Sequence, residues 1–198
     1  MERGEKIAVG VLAVAVIAAV GVFAYYELPG DDGDSCGDPV LTVSHQGKEW
    51  TYTLCELKDM DSTTGRGGMK TTIGTMQGPW RFKGVSFSAL IQGLPTPVEG
   101  PVSVTVVDTA DPGNISDDYR RTFDAQVLRG NMTVYDASGN VTDDTATPVP
   151  ILAYIMDGDA IGEEDGPLRV AFVTQNGDIY TSSRNWVKSV DRVEVTNG

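Results

Sequence analysis

The chain has a single histidine, two cysteines and 15 basic residues against 28 acidic ones, and each shortage closes off a class of chemistry. His45 sits beside a Gln46-Gly47 turn signal, so a Ser-His-Asp triad would have to be assembled around a hairpin tip. Two cysteines and one histidine do not complete a tetrahedral zinc shell. No C-x-x-C-H occurs, which excludes covalent haem by that test. Neither G-x-x-x-x-G-K-[ST] nor G-x-G-x-x-G occurs, so no nucleotide fingerprint is present. The formal net charge of -13 repels nucleic acid and anionic lipid, so no nucleic-acid partner is expected. The acidic stretch Asp157, Asp159, Glu163, Glu164 and Asp165 lacks the spacing and closing Glu of an EF-hand, and reads as a solvated loop.

What the chain does have is an unbroken apolar run from Ile7 to Tyr26. About 20 residues at 1.5 Å each match a ~30 Å hydrocarbon core. Arg3 and Lys6 precede the run, and Glu27, Asp31, Asp32 and Asp34 follow it. Basic flanks stay on the cytoplasmic side. The expected organisation is a cytoplasmic N-terminus (1–6), a single-pass membrane anchor (7–26), an acidic linker (27–39) and an outward-facing domain (40–196). The alternative is a cleaved signal peptide, with Val22-Phe23-Ala24 as its small-residue site, although signal cores are usually shorter.

Cys36 and Cys55 flank a predicted hairpin, with strands Val40–Val43 and Glu49–Leu54 folded around Gln46-Gly47. That fold brings the two cysteines close, and outside the membrane a disulfide persists. The alternative is two free thiols. Sequons at Asn114, Asn131 and Asn140 fall in Asp-, Gly- or Asn-rich stretches and are expected glycosylation sites where the host has that machinery.

Along the domain, Asp61–Lys70 (DSTTGRGGMK) reads as a Gly-rich connector and Thr71–Met76 as a strand. Ser86 caps a helix that ends near Gly93. Further strands are expected at Val102–Val107, Tyr119–Phe123, Met132–Tyr135, Ile151–Met156, Leu168–Val173, Trp186–Val190 and Val193–Val195. Asn176-Gly177 signals a hairpin. Mostly strands with a few short helices and no repeat of fixed period make the class α+β, with a mixed or antiparallel sheet.

The order of these segments resembles the molybdopterin-binding catalytic domain of the sulfite oxidase superfamily, in a short form. The segments that carry the resemblance are LTVSHQGKEWTYTLCELKDM, WRFKGVSFSALIQ, VSVTVVDTADPGNISDDYRRTFD, VPILAYIMDGDAIGEEDGPLRVAFV and RNWVKSVDRVEV. The resemblance implies a pyranopterin site with Mo or W held by one cysteine thiolate, placed shortly before the WRFKGV segment. Lys70–Met76 occupies that place and contains no cysteine. The soft ligand that such a metal favours is therefore missing. Asn185 also stands where the family has a lysine before its terminal Trp. The positions matching the family's cofactor pocket are Thr71, Thr72, Gly74, Tyr119, Arg120, Arg184, Asn185 and Trp186. The resemblance thus implies a divergent binding or accessory domain. Two alternatives are a redox enzyme that holds Mo- or W-pterin without a cysteine, and a surface adhesion or envelope module. With no haem or cluster motif, any electron transfer would need a protein partner.

Overall fold

The computed structural model describes residues 37–109, 119–142 and 147–197. The apolar run, Cys36 and Asn114 lie outside the described residues, and among the described residues no helix is long and apolar enough to cross a membrane.

The described chain folds into two sheets with short helices at their ends. The first sheet holds β1 (Pro39–His45), β2 (Lys48–Thr53), β5 (Val102–Asp108), β6 (Tyr119–Phe123) and β11 (Arg192–Asn197), in the order β2-β1-β11-β5-β6. The second holds β3 (Ser62–Lys70), β4 (Met76–Ser86), β7 (Val149–Met156), β8 (Asp159–Ala160), β9 (Arg169–Val173) and β10 (Tyr180–Ser182), in the order β10-β3-β4-β7-β8, with β9 also paired to β7. The pairs β1–β11 and β3–β10 are parallel and the other pairs antiparallel, so the sheets are mixed.

Local chemistry sets the helix starts. Thr53 caps α1 (Leu54–Asp59) in a capping box: its hydroxyl accepts the Glu56 N–H while the Glu56 carboxylate accepts the Thr53 N–H at 2.7 Å. Donation to the Glu56 carboxylate from the Thr53 backbone N–H, and from the Thr53 hydroxyl at 2.9 Å, holds that carboxyl below its usual range. Ser86 caps α2 (Phe87–Gln92) by accepting the Ala89 N–H, and Asp124 caps α3 (Ala125–Leu128).

The Gly-rich segment expected to be a connector is instead β3. Its glycines mark the places where another backbone comes close. A Cβ at Gly67 would stand 2.0 Å from the Phe172 carbonyl oxygen, and one at Gly65 2.6 Å from that of Thr174. Arg66 and Thr174 exchange both backbone hydrogen bonds, at 2.9 and 3.0 Å. The second sheet therefore curls until β3 meets the end of β9, and glycine is what permits the approach.

Four other expectations change. Thr71–Thr75 is the turn between β3 and β4, not a strand, and it closes with Thr71 N–H to Thr75 O at 2.8 Å. Asn176-Gly177 joins β9 to β10, which do not pair with each other: β9 pairs with β7 and β10 with β3. Met132–Tyr135 is irregular apart from bridges at Tyr135, and Trp186–Val190 is irregular as well.

One apolar cluster joins the two sheets. A row of rings runs through it, from Phe87 to Phe123 (6.1 Å), Phe172 (5.7 Å) and Trp186 (6.5 Å) between centroids. Phe123 belongs to the first sheet and Phe172 to the second, so these contacts fasten one layer to the other.

Candidate functional site

The parallel pairing of β3 and β10 builds the candidate site. Lys70 lies opposite Ser182 at the last paired position. Both strands therefore end side by side, and two of the three predicted segments leave from that end. Thr71–Thr75 follows β3, and a 3₁₀ turn, Ser183–Asn185, follows β10.

Within the first segment, the Thr71 hydroxyl accepts the Thr75 N–H at 2.9 Å, so it holds the turn together. Thr72 and Gly74 are exposed, and Gly74 has φ +89°, a conformation that suits a residue without Cβ. The cysteine that the family resemblance implies at this turn has no counterpart: Cys55 stands in the first turn of α1 and is not free.

In the second segment, Arg184 is exposed, whereas Asn185 is 8% and Trp186 7% accessible. The Trp186 indole N–H donates to the Thr181 hydroxyl at 2.8 Å, and the ring packs among Trp80, Phe82 and Phe172. Arg169, buried at 3% accessibility, sits 5.7 Å from the Phe82 and Trp186 ring centroids. Burial pushes its guanidinium below the ordinary value, while Asp165, its ion-pair partner, pulls the other way.

The third segment divides by strand parity. Side chains alternate between faces along β6. Phe123 is buried, so Arg121, two positions back, shares its inward face. Arg121 Nη2 donates to Asn185 Oδ1 at 2.7 Å, and its buried Nε finds no partner among the described residues. Arg120 points the other way and pairs with Glu194 on the outer face of the first sheet. Tyr119, at the strand start, is 51% exposed.

The structure thus ties Arg121 to Asn185 and sets the end of β3 beside Ser182. It does not bring Arg120 to the same place. Arg121 is the residue that matters most here, and the inward parity set by Phe123 was the signal that could have singled it out. Lys70, the last residue of β3, has partners of its own: its ammonium donates to the Gly139 carbonyl at 2.7 Å and lies 4.3 Å from the Tyr135 ring centroid. Among the described residues, no carboxylate forms an ion pair with Lys70, Arg121 or Arg184. In a chain with a 28-to-15 excess of acids, such an end suits an anionic or hydrogen-bond-accepting group.

His45 is not part of this arrangement. It is buried at the end of β1, where its Nδ1 lies 2.9 Å from the Val195 carbonyl oxygen. Asn131 and Asn140 are both exposed.

No protein-family model matches the sequence, and no curated protein matches it. Among solved structures, the chain is similar to the sulfane dehydrogenase SoxCD from Paracoccus pantotrophus, with a TM-score of 0.51 at 18% identity. The similarity covers 80% of this chain and 38% of that one, so this chain spans well under half the length of its structural neighbour. At that identity the likeness is one of fold: a mixed, sheet-rich domain with few helices, shared with part of an oxidoreductase.

Proposed function

We propose that this chain is a membrane-anchored, extracytoplasmic domain of the sulfite oxidase molybdopterin fold, working as a binding or accessory module without thiolate-ligated metal. The observation that carries this reading is the Arg121–Asn185 pair at the common end of β3 and β10, with a buried guanidinium N–H left free. The segment order supports the family, and the fold neighbour, a dehydrogenase, supports an oxidoreductase-derived scaffold.

The residues present fit part of the family's cofactor. Arg121, Lys70 and the exposed Arg184 suit the anionic and hydrogen-bonding portion of a pyranopterin. The turn that would supply the thiolate offers threonines instead, and the Thr71 hydroxyl is engaged within the turn. The donor set therefore does not fit a thiolate-bound Mo or W, and no reaction step is assigned to one.

A redox role with the metal held by the pterin alone is the competing reading, favoured by the dehydrogenase neighbour, and it needs an electron-transfer protein partner. Elemental analysis for Mo and W, with pterin fluorescence after denaturation, tests both. The sample is the full chain from its native host or a cofactor-competent one. Pterin without stoichiometric metal supports the accessory reading. Stoichiometric metal and pterin overturn it in favour of the redox reading. A well-folded sample with neither removes the pterin from the proposal and favours an adhesion or envelope module.

The proposal includes a Cys36–Cys55 bridge closing the β1–β2 unit, glycans at Asn114, Asn131 and Asn140, and the N-in, C-out orientation set by Arg3 and Lys6. Intact mass with and without reductant, and with and without deglycosylation, tests the first two.

A further inference from the structure

Two bases on the outer face of the second sheet have no acid of their own, and the proposed site does not use them. Phe82 is fully buried, so its β4 neighbours Arg81 and Lys83 point outward, about 7 Å apart along the strand. Directly opposed residues of an antiparallel pair share a face. Lys83 opposes Thr64 on one side and Ile155 on the other, which sets a hydroxyl and an apolar side chain beside the ammonium. Asp157, just past the end of β7, turns its carboxylate onto the Arg81 backbone N–H at 2.8 Å.

In a chain with 28 acids, bases find carboxylates readily. Arg66, opposite Arg81, takes Asp178 at 2.6 Å, and Arg120, Arg169, Lys188 and Arg192 are paired as well. The exposed side chains of Arg81 and Lys83 pair with no group among the described residues. The Thr64 hydroxyl and the second carboxylate oxygen of Asp157 are likewise unengaged among the described residues. These groups meet at one cleft of about 370 Å³, lined in part by Thr64, Arg81, Lys83, Ile155 and Asp157. That volume falls at the small end of ligand sites, which run from ~300 to ~1,000 Å³.

The lining selects a chemistry. Two positive charges and one negative leave the cleft at +1, inside a molecule of net charge -13. A single negative charge is matched there, while a multiply charged ligand is repelled by the rest of the chain. The Arg81 fork suits a carboxylate, which it can hold by two parallel N–H bonds, with the Lys83 ammonium as a point charge beside it. The Thr64 hydroxyl can donate or accept, and the free Asp157 oxygen accepts, so both serve hydroxyl groups on the same ligand. Ile155 offers an apolar wall to a carbon skeleton. We propose that this cleft binds a hydroxylated monocarboxylate of about monosaccharide size, such as a sugar acid, with Arg81 and Lys83 on the carboxylate and Thr64 and Asp157 on the hydroxyls. The proposal does not depend on the cofactor reading.

Isothermal titration of the full chain in detergent micelles tests this, with glucuronate, glucose, acetate and glucose 6-phosphate as probes. Glucuronate is expected to bind one site per chain, about tenfold or more tighter than each of the others. Arg81→Gln and Lys83→Gln are each expected to weaken it about tenfold or more. Both residues are exposed and are changed separately, so that if one variant fails to fold by circular dichroism the other decides. Absence of glucuronate binding overturns the proposal. So does equal binding of acetate or glucose, which removes the need for both the charge and the hydroxyls, or tighter binding of glucose 6-phosphate, which removes the preference for a single charge. Glucuronate binding that is lost in Arg121→Ala but kept in both β4 variants belongs to the end of β3 and β10, and overturns it too.

Discussion

The two sheets of this domain solve the same burial problem by different means. In the first, β-branched residues alternate along the central strands β5 and β11. Val104 and Val106 of β5 and Val193 and Val195 of β11 face the core, and the Thr105–Thr122 and Ser103–Thr196 hydroxyl pairs face outward at 2.8 Å each. Side-chain chemistry alone sets inside and outside there. In the second, backbone proximity governs. β3 holds three glycines because β9 and β10 press against it, and an arginine is buried among the rings that close the wall. A sheet shaped by side chains tolerates many residues at each place. One shaped by backbone contact tolerates few.

Breaking that contrast begins with the largest effect. Asp165→Asn removes the ion-pair partner of the buried Arg169, and is expected to cost about 3–5 kcal/mol in chemical denaturation. Lys188 also pairs with Asp165 but is half exposed, so Lys188→Ala should cost less than about 1 kcal/mol. Gly67→Ala drives a methyl into the Phe172 carbonyl, and should cost about 3 kcal/mol. Thr105→Ala, on the open face of the first sheet, should stay within about 1 kcal/mol. Equal losses for Gly67→Ala and Thr105→Ala would dissolve the distinction between the sheets.

Smaller effects sharpen it. Thr53→Ala removes the cap of α1 and should cost about 1 kcal/mol. The Glu56 half of that box titrates: its folded pKa is depressed, so its stabilisation is present above the ordinary carboxylate pKa and is lost as pH falls through the depressed value. A Glu56→Gln chain should therefore show a shallower acid limb in its denaturation profile. Least visible in melting, but most telling for the site, is the pair of neighbours on β6. Arg121→Ala and Arg184→Ala should each weaken binding of pterin or a simple oxyanion, read by isothermal titration. Arg120→Ala, whose partner is Glu194 on the other face, should leave that affinity unchanged.

The strand neighbours Arg120 and Arg121 also show how far the site could be read in advance. Sequence order placed the segment at Tyr119–Arg121, but neither residue's direction was visible until Phe123 was known to point inward. Thr71 lies far along the chain from Arg184 and Asn185, and the β3–β10 register is what sets their segments at one sheet end. That pairing has no local signal, because Asn176-Gly177 has the composition of a hairpin turn while β10 crosses to pair in parallel with β3. The glycines of β3 misled for a related reason: their composition is that of a loop, and the close backbone that makes them necessary lies more than 100 residues on, at Phe172 and Thr174.

By itself the sequence determined what depends on near neighbours. This includes the alternation in β5 and β11, the cap at Ser86, the turn at Gln46-Gly47, the excess of acids and the missing cysteine before β4. Those follow from strand periodicity, hydrogen-bond geometry within a turn and plain composition, none of which needs a distant partner. The tertiary structure alone decided why β3 is glycine, which way Arg121 turns and that Arg169 is enclosed by Phe82 and Trp186. Each of these depends on a contact between segments distant in sequence, and such contacts exist only once the sheets have curled and packed.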